Sequence, residues 1–368
     1  MLLPVALLTL IPLARAVSLP QPSGPYGVGF TQQVFNHTTL DDPTDPHGTG
    51  KFFLMSLYYP TLSHPSESNA VPYFDPISAQ IWSDALEFPN GTLESLETEL
   101  QLDAPFLPGK VGENPLPTVV FSPGGGVNGF MNYALVADLA SYGYTVAVLD
   151  HAGEPPYLQL PDGSGVVGLS IYLTYNASMI DSMYSFRVGD AKTFLQRFPA
   201  WVEENSAPVN TSNYIAMGHS IGGATAAGLM ENDPSIVGGF NLDGAFVDAD
   251  INVERPFLMM SSINHTAQMD PSWSIFPEKQ TGWWEDLNVY GSGHLDYCDV
   301  GLWPPVLGLT GTTATPQIGP IGGFRMFEII RAYTQDFFRL LGGQESTVLN
   351  GPSLKWREVI YVNGSSFM

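Results

Sequence analysis

The sequence predicts an α/β protein with a mostly parallel central sheet and helices on both faces. Three observations predict it. Short apolar runs at 118–122, 145–150 and 214–218 alternate with helix-period stretches at 132–142, 185–198 and 221–231, the pattern of strands joined by crossover helices. The chain is 368 residues long and 44% hydrophobic, enough to bury a large core. It carries 38 Gly and 31 Pro, which suits many strand-to-helix turns. No internal repeat or low-complexity linker divides it, so residues 17–368 read as one domain.

Residues 2–13 form an apolar run that ends in Ala14-Arg15-Ala16. This reads as a signal peptide cleaved after Ala16, although no Lys or Arg precedes the run. It is too short to span a bilayer, and no later run of about 18 apolar residues suggests a span. Six sequons, at Asn36, Asn90, Asn176, Asn210, Asn264 and Asn363, are glycosylation candidates in a secreted chain. The net charge is −23, with no basic stripe, which argues against a nucleic-acid partner. It also disfavours anionic lipid surfaces, leaving at most peripheral contact with zwitterionic ones. One cysteine excludes an internal disulfide framework.

Residues 18–29 are rich in Pro and Gly and read as an irregular lead-in. The aromatic run 51–59 is a strand stopped by Pro60, and a helix is expected over 77–86. The regular part begins with the strand at 118–122, then Pro123-Gly124-Gly125-Gly126, the helix at 132–142 and the strand at 145–150. An amphipathic helix (185–198), a strand (214–218) and a small-residue helix (221–231) come next. Two further strands, 237–242 and 256–261, precede a long amphipathic helix over 323–341, stopped by Gly342-Gly343. Ligands of such sheets sit beyond the carboxyl ends of the strands, so residues just after each strand are the ones to examine.

Gly218-His219-Ser220-Ile221-Gly222 is G-x-S-x-G between a strand and a helix. That turn lifts a serine hydroxyl above the sheet and places helix amides beside it, so Ser220 is the candidate nucleophile. A hydroxyl needs a base, and the base an orienting carboxylate, in the order Ser, acid, His. Asp243 follows the next strand; Asp248 and Asp250 compete from further along the loop. His37 and His265 lie in sequons and are expected to be exposed, and His47 and His64 lie in Pro-rich loops. His219 is expected to pack beside the nucleophile, and His151 to line the site but too early in the chain. His294, in Gly291-Ser292-Gly293-His294, is the candidate base. The oxyanion hole is expected from the amides of Ile221 and Gly125. Cys298 lacks an elbow and is expected to be inert. No zinc spacing, P-loop or dinucleotide fingerprint is present. Trp273, Phe276, Trp283 and Trp284 are expected in the core, with an acyl-pocket wall or an interfacial anchor as the alternative.

These residues resemble the platelet-activating-factor acetylhydrolase family (plasma and type II). The likeness runs from Gly24-Pro25-Tyr26-Gly27-Val28-Gly29 and Ser56-Leu57-Tyr58-Tyr59-Pro60 through 119–126 and 139–144 to Gly218–Gly223, Leu242-Asp243-Gly244 and His294. It implies an α/β-hydrolase fold without metal or cofactor, with Ser220, Asp243 and His294 as triad. It also implies cleavage of short or oxidised second-position acyl esters of phospholipids, an A2-type lipid-degrading activity. The sequons and leader suggest a secreted, fungal-type member. The family's His-Gly is Pro123-Gly124 here, and Gly125 replaces a bulkier residue, which predicts a smaller pocket wall. The rivals are a generic small-ester or polyester esterase and a non-enzymatic binding protein on a hydrolase fold.

Overall fold

The computed structural model describes residues 17–65, 70–112, 114–309, 317–349 and 351–365. The signal-peptide assignment therefore falls outside the described residues. The strands are β1 (Val17–Ser18), β2 (Gly27–Leu40), β3 (Thr49–Thr61), β4 (Ala70–Pro72), β5 (Leu96–Leu102), β6 (Thr118–Ser122) and β7 (Thr145–His151). They continue with β8 (Tyr157–Gln159), β9 (Gly165–Val167), β10 (Tyr214–His219), β11 (Ile236–Leu242), β12 (Phe257–Ser262), β13 (Trp284–Val289) and β14 (Val359–Gly364). The main sheet runs β1-β5-β2-β3-β7-β6-β10-β11-β12-β13-β14, with β4 on β5 and a separate β8–β9 hairpin. From β7 through β13 every neighbouring pair is parallel. β3 on one side and β14 on the other join antiparallel. This is the α/β-hydrolase fold.

The parallel strands are buried on both faces, so alternate residues enter two different cores. Val119 and Phe121 of β6, Ile215 and Met217 of β10, and Leu258 and Met260 of β12 enter one core. Val120, Ala216 and Met259 enter the other. Helices α2 (Tyr133–Ser141) and α7 (Gly323–Leu341) cover the first face. Helices α3 (Ala177–Glu204), α4 (Ile221–Asn232) and α5 (Ser272–Lys279) cover the second. Helix α1 (Pro76–Ala85) and the short α6 (Trp303–Val306) pack together through Trp82 and Trp303.

Several elements were not in the sequence reading, among them β5, α5 and β14, and three depart in an instructive way. β2 begins inside the expected lead-in, because Gly27 to Asn36 pairs residue for residue with β3. α3 starts earlier, at Ala177, where the Asn176 side chain accepts the Met179 amide. β13 reads as polar, yet Glu285, Asp286 and Asn288 are buried. Asn288 stays satisfied by donating to the Ser261 hydroxyl and the Ser262 carbonyl.

Candidate active site

The carboxyl ends of β6, β10, β11, β12 and β13 open on one edge, and each contributes one part of the site. Ser220 caps α4 with φ 56° and ψ −130°, a left-handed backbone that strains a side-chain-bearing residue. The turn is sealed from below. A Cβ on Gly218 would meet the Gly222 carbonyl oxygen at 2.3 Å, and one on Gly222 would meet the Ser122 carbonyl oxygen at 1.9 Å. Only glycine fits either position. The Ser220 amide donates to the Leu242 carbonyl at 2.8 Å, tying the elbow to β11.

Asp243 follows β11, 2% exposed. Its Oδ2 accepts from His294 Nδ1 at 2.7 Å. Its Oδ1 accepts from the Ser262 amide at 2.6 Å and from His265 Nδ1 at 3.0 Å. Burial alone would raise this carboxyl, but the bonds and charges of His265 and His294 hold it well below the usual carboxylate range. His265 Nε2 in turn donates to Asp270 Oδ2 at 2.9 Å. An imidazole whose two nitrogens both face carboxylates is the doubly protonated cation. Burial opposes that charge, yet Asp243 and Asp270 push its pKa up to about 9.

The expectation that His265 is exposed is therefore corrected. Although its sequon neighbour Asn264 is exposed, the ring turns inward against Trp273, 4.8 Å away. His37 is likewise half-buried and bonded to Asp190. His151 does not line the site: it is buried and bonded to the same Asp190 at 2.7 Å. His219 packs beside the elbow as expected. Its Nε2 donates to the His294 carbonyl at 3.0 Å, and burial beside His294 pushes its pKa down to about 3. It stays neutral and braces the loop that carries His294. Asp248 and Asp250 are exposed. Cys298 is buried, and burial raises its thiol.

Ser220, His294, Gly125 and Ile221 border one cleft of about 540 Å³. α1 gives it Trp82, with Leu86 just past its end; the segment leading into α3 gives Tyr172 and Tyr175, and the first turn of α3 gives Ile180. None of the aromatics Trp273, Phe276, Trp283 and Trp284 is among its described lining residues. Trp273 and Phe276 are buried against Phe246, and Trp283 stacks on Phe337. The acyl-wall alternative for this cluster is thus set aside. The wall beside Gly125 is not open either. Tyr175 fills it, with Cε2 3.2 Å from where a Gly125 Cβ would sit.

Among the sequons, Asn36, Asn90, Asn176, Asn264 and Asn363 are exposed. Asn210 is 7% exposed; it donates to the Asn114 carbonyl and accepts from the Ser212 and Asn213 amides. Its buried, bonded side chain sets it apart from the five exposed sequons. Among the described residues no group of three or more His, Cys, Asp or Glu could hold a metal ion, and no helix is long and apolar enough to cross a membrane.

Residues 12–160 match the family described as platelet-activating factor acetylhydrolase, isoform II. The matched stretch ends before Ser220, so it covers the Gly124-Gly125-Gly126 loop but not the elbow. A probable 1-alkyl-2-acetylglycerophosphocholine esterase of Arthroderma benhamiae is 24% identical, over 94% of both chains. A solved ferulic acid esterase from Streptomyces cinnamoneus superimposes with a TM-score of 0.79 at 26% identity, covering 95% of this chain and all of that one. The family resemblance carried by the sequence motifs is borne out.

Proposed function

We propose that this chain, an α/β-hydrolase-fold esterase similar to the platelet-activating-factor acetylhydrolases, works as a secreted serine carboxylester hydrolase through Ser220, His294 and Asp243. The observation that carries the reading is a convergence. A serine in a strained elbow borders the same cleft as a histidine whose far nitrogen is held at 2.7 Å by a buried carboxylate. His294 takes the Ser220 proton as the hydroxyl attacks the ester carbonyl. The Gly125 and Ile221 amides receive the oxyanion. His294 then protonates the leaving alkoxide, and water repeats the cycle on the acyl-enzyme. Asp243 fixes the imidazole and meets the charge that forms on it. Labelling with a fluorophosphonate tests the reading: adduct at Ser220 is expected, and adduct elsewhere or none overturns it.

Two substrate classes compete. The relative named as an acetylglycerophosphocholine esterase supports a short second-position acyl ester of a phospholipid. An uncharged ester of an aromatic or apolar acid is favoured by the cleft itself. Among its described lining residues there is no Lys, Arg, Asp or Glu, so a phosphate finds no ionic partner there. The exposed sequons support secretion, as does the apolar leader in the sequence. Acyl release from acetyl phospholipid set against a hydroxycinnamate ester separates the two classes.

A further inference from the structure

Beneath the cleft lies a buried ion pair that the chemistry above does not use. Arg187 of α3 and Glu154, just after β7, are each 1% exposed. Arg187 Nε and Nη2 donate to the two Glu154 oxygens at 2.9 and 2.5 Å. Nη1 donates to the Ser122 hydroxyl at 3.0 Å and the Pro123 carbonyl at 2.6 Å, and Nη2 also reaches the Gly124 carbonyl at 3.1 Å. Glu154 Oε1 accepts the Gly126 amide at 3.4 Å. One guanidinium thus grips consecutive carbonyls of the loop that follows β6, and its partner carboxylate grips the far end.

Within the loop the Val127 amide also donates to the Gly124 carbonyl, at a longer 3.3 Å, which leaves the peptide planes loosely held without a further grip. Gly124-Gly125-Gly126 has no side chain to resist rotation of its peptide planes. In a trans peptide the carbonyl and the next amide point to opposite sides. With the Gly124 carbonyl drawn down to Arg187, the Gly125 amide is turned away from it, on the residue that borders Ser220 and Ile221. Among the described residues that amide has no acceptor. A buried ion pair is also a poor way to gain stability, because desolvation offsets its attraction, so its place under a glycine loop asks for a positional reason. A lysine could not replace it, since a single ammonium lacks the planar fork that holds several oxygens at fixed angles.

We infer that Arg187, braced by Glu154, is a positioning residue that locks the Gly124–Gly125 peptide plane so that the Gly125 amide is aimed at the oxyanion. This rests on the reading of Ser220 as nucleophile. The clamp touches no substrate, and it acts where charge develops, so its loss should appear in kcat and not in KM.

The test is Arg187→Lys, with kcat, KM and the inhibition constant of a trifluoromethyl ketone measured on the same ester. One misaimed oxyanion donor predicts a kcat lower by about 10- to 100-fold with KM within about twofold. The ketone, whose anionic adduct needs the same amide, should weaken in step with kcat/KM. A folded Arg187→Lys enzyme with kcat near wild type, or with the loss confined to KM, overturns the inference. Should Arg187→Lys fail to fold, Glu154→Gln leaves the guanidinium in place and loosens its brace. It should show the same kcat-only loss in smaller measure, and unchanged kcat there overturns the inference equally. Wild-type protein that takes no fluorophosphonate on Ser220 would sink the triad reading instead, before any variant is compared.

Discussion

His265 donates through Nδ1 to Asp243 Oδ1 at 3.0 Å, the carboxylate oxygen that His294 leaves free. The acid beside the candidate base is therefore not an isolated anion. Asp270, His265 and Asp243 form a chain of two carboxylates around one imidazolium, with a single net negative charge spread along it. Replacing His265 by Ala removes a charge-assisted bond from Asp243 and leaves Asp270 without its partner. Loss of such a bond costs about 1.5–3 kcal/mol of stability, and with Asp243 held by fewer partners turnover is expected to fall as well. The check is steady-state kinetics of His265→Ala beside His265→Gln, with the glutamine variant retaining more activity because its amide can still donate to one carboxylate.

The nucleophile has a sharper expectation. Ser220→Ala should lower turnover by about 10⁴-fold or more and leave the thermal midpoint close to wild type. Adding His294→Ala to it should lower turnover little further, because the members act as a unit. Near-wild-type turnover in Ser220→Ala would move the nucleophile to another residue.

Stability should decline as pH rises across neutrality. His265 has a folded pKa raised to about 9, against about 6.5 for a free imidazole. Its contribution is present in full below the free value and is lost as pH rises through the folded one. Burial also raises Asp150, Asp286 and Asp299 to about 7, which adds a loss of stability between the ordinary carboxylate range and neutrality. His219, held neutral with its pKa near 3, opposes this by costing stability as pH falls below the free imidazole value, though it is one group against His265 and three carboxyls. Asp243 also acts in the opposite sense. Its pKa is depressed, so its contribution is present above the free carboxylate value and is lost only as pH falls through its low folded one. Thermal midpoints should therefore be higher at pH 5 than at pH 9, with a shallower slope in His265→Gln. A midpoint that rises from pH 5 to pH 9 would contradict these assignments.

The parallel strands β6, β7, β10, β11 and β12 were legible because both of their faces are buried, so each reads as an unbroken apolar run between turn residues. β13 was not legible, since Glu285, Asp286 and Asn288 are buried by tertiary contacts that no local pattern reports. Ser220, Asp243 and His294 could be named as candidates because the elbow pattern fixes the first and chain order restricts the others. His265 was missed because its sequon suggested exposure. It stands just past the end of β12, where the sheet rule directs attention, and that position was the available signal. Arg187 was read as one residue of an amphipathic helix. A cation between Phe186 and Val188, both buried, was the only local hint that it faces inward.

Asn210 gives a prediction on processing. In protein from a glycosylating host, glycans are expected at exposed sequons and not at Asn210. Asn210→Ala should destabilise the fold by about 1–3 kcal/mol, because the Ser212 and Asn213 amides lose their acceptor. Glycopeptide mapping and a urea titration check the two halves.

Tyr175 should set how bulky an acid the cleft accepts, since its ring occupies the space beside Gly125. Tyr175→Ala is expected to raise kcat/KM for branched or aromatic acids relative to acetate by about tenfold. A panel of nitrophenyl esters reads the ratio, and an unchanged ratio would place the acid elsewhere in the cleft.

The elbow's crowding bears on how such an enzyme can diversify. Gly218, Gly222 and Gly244 each have a backbone oxygen within 2.5 Å of where a Cβ would go, namely those of Gly222, Ser122 and Ser220. Each of these glycines is enclosed by main chain, which no neighbouring side-chain substitution can move aside. Heritable variation is barred from the reacting centre and displaced to α1 and the segment before α3, whose side chains border the cleft without building the elbow. Substitutions there can reshape what the cleft accepts, while the turn that carries Ser220 keeps its form.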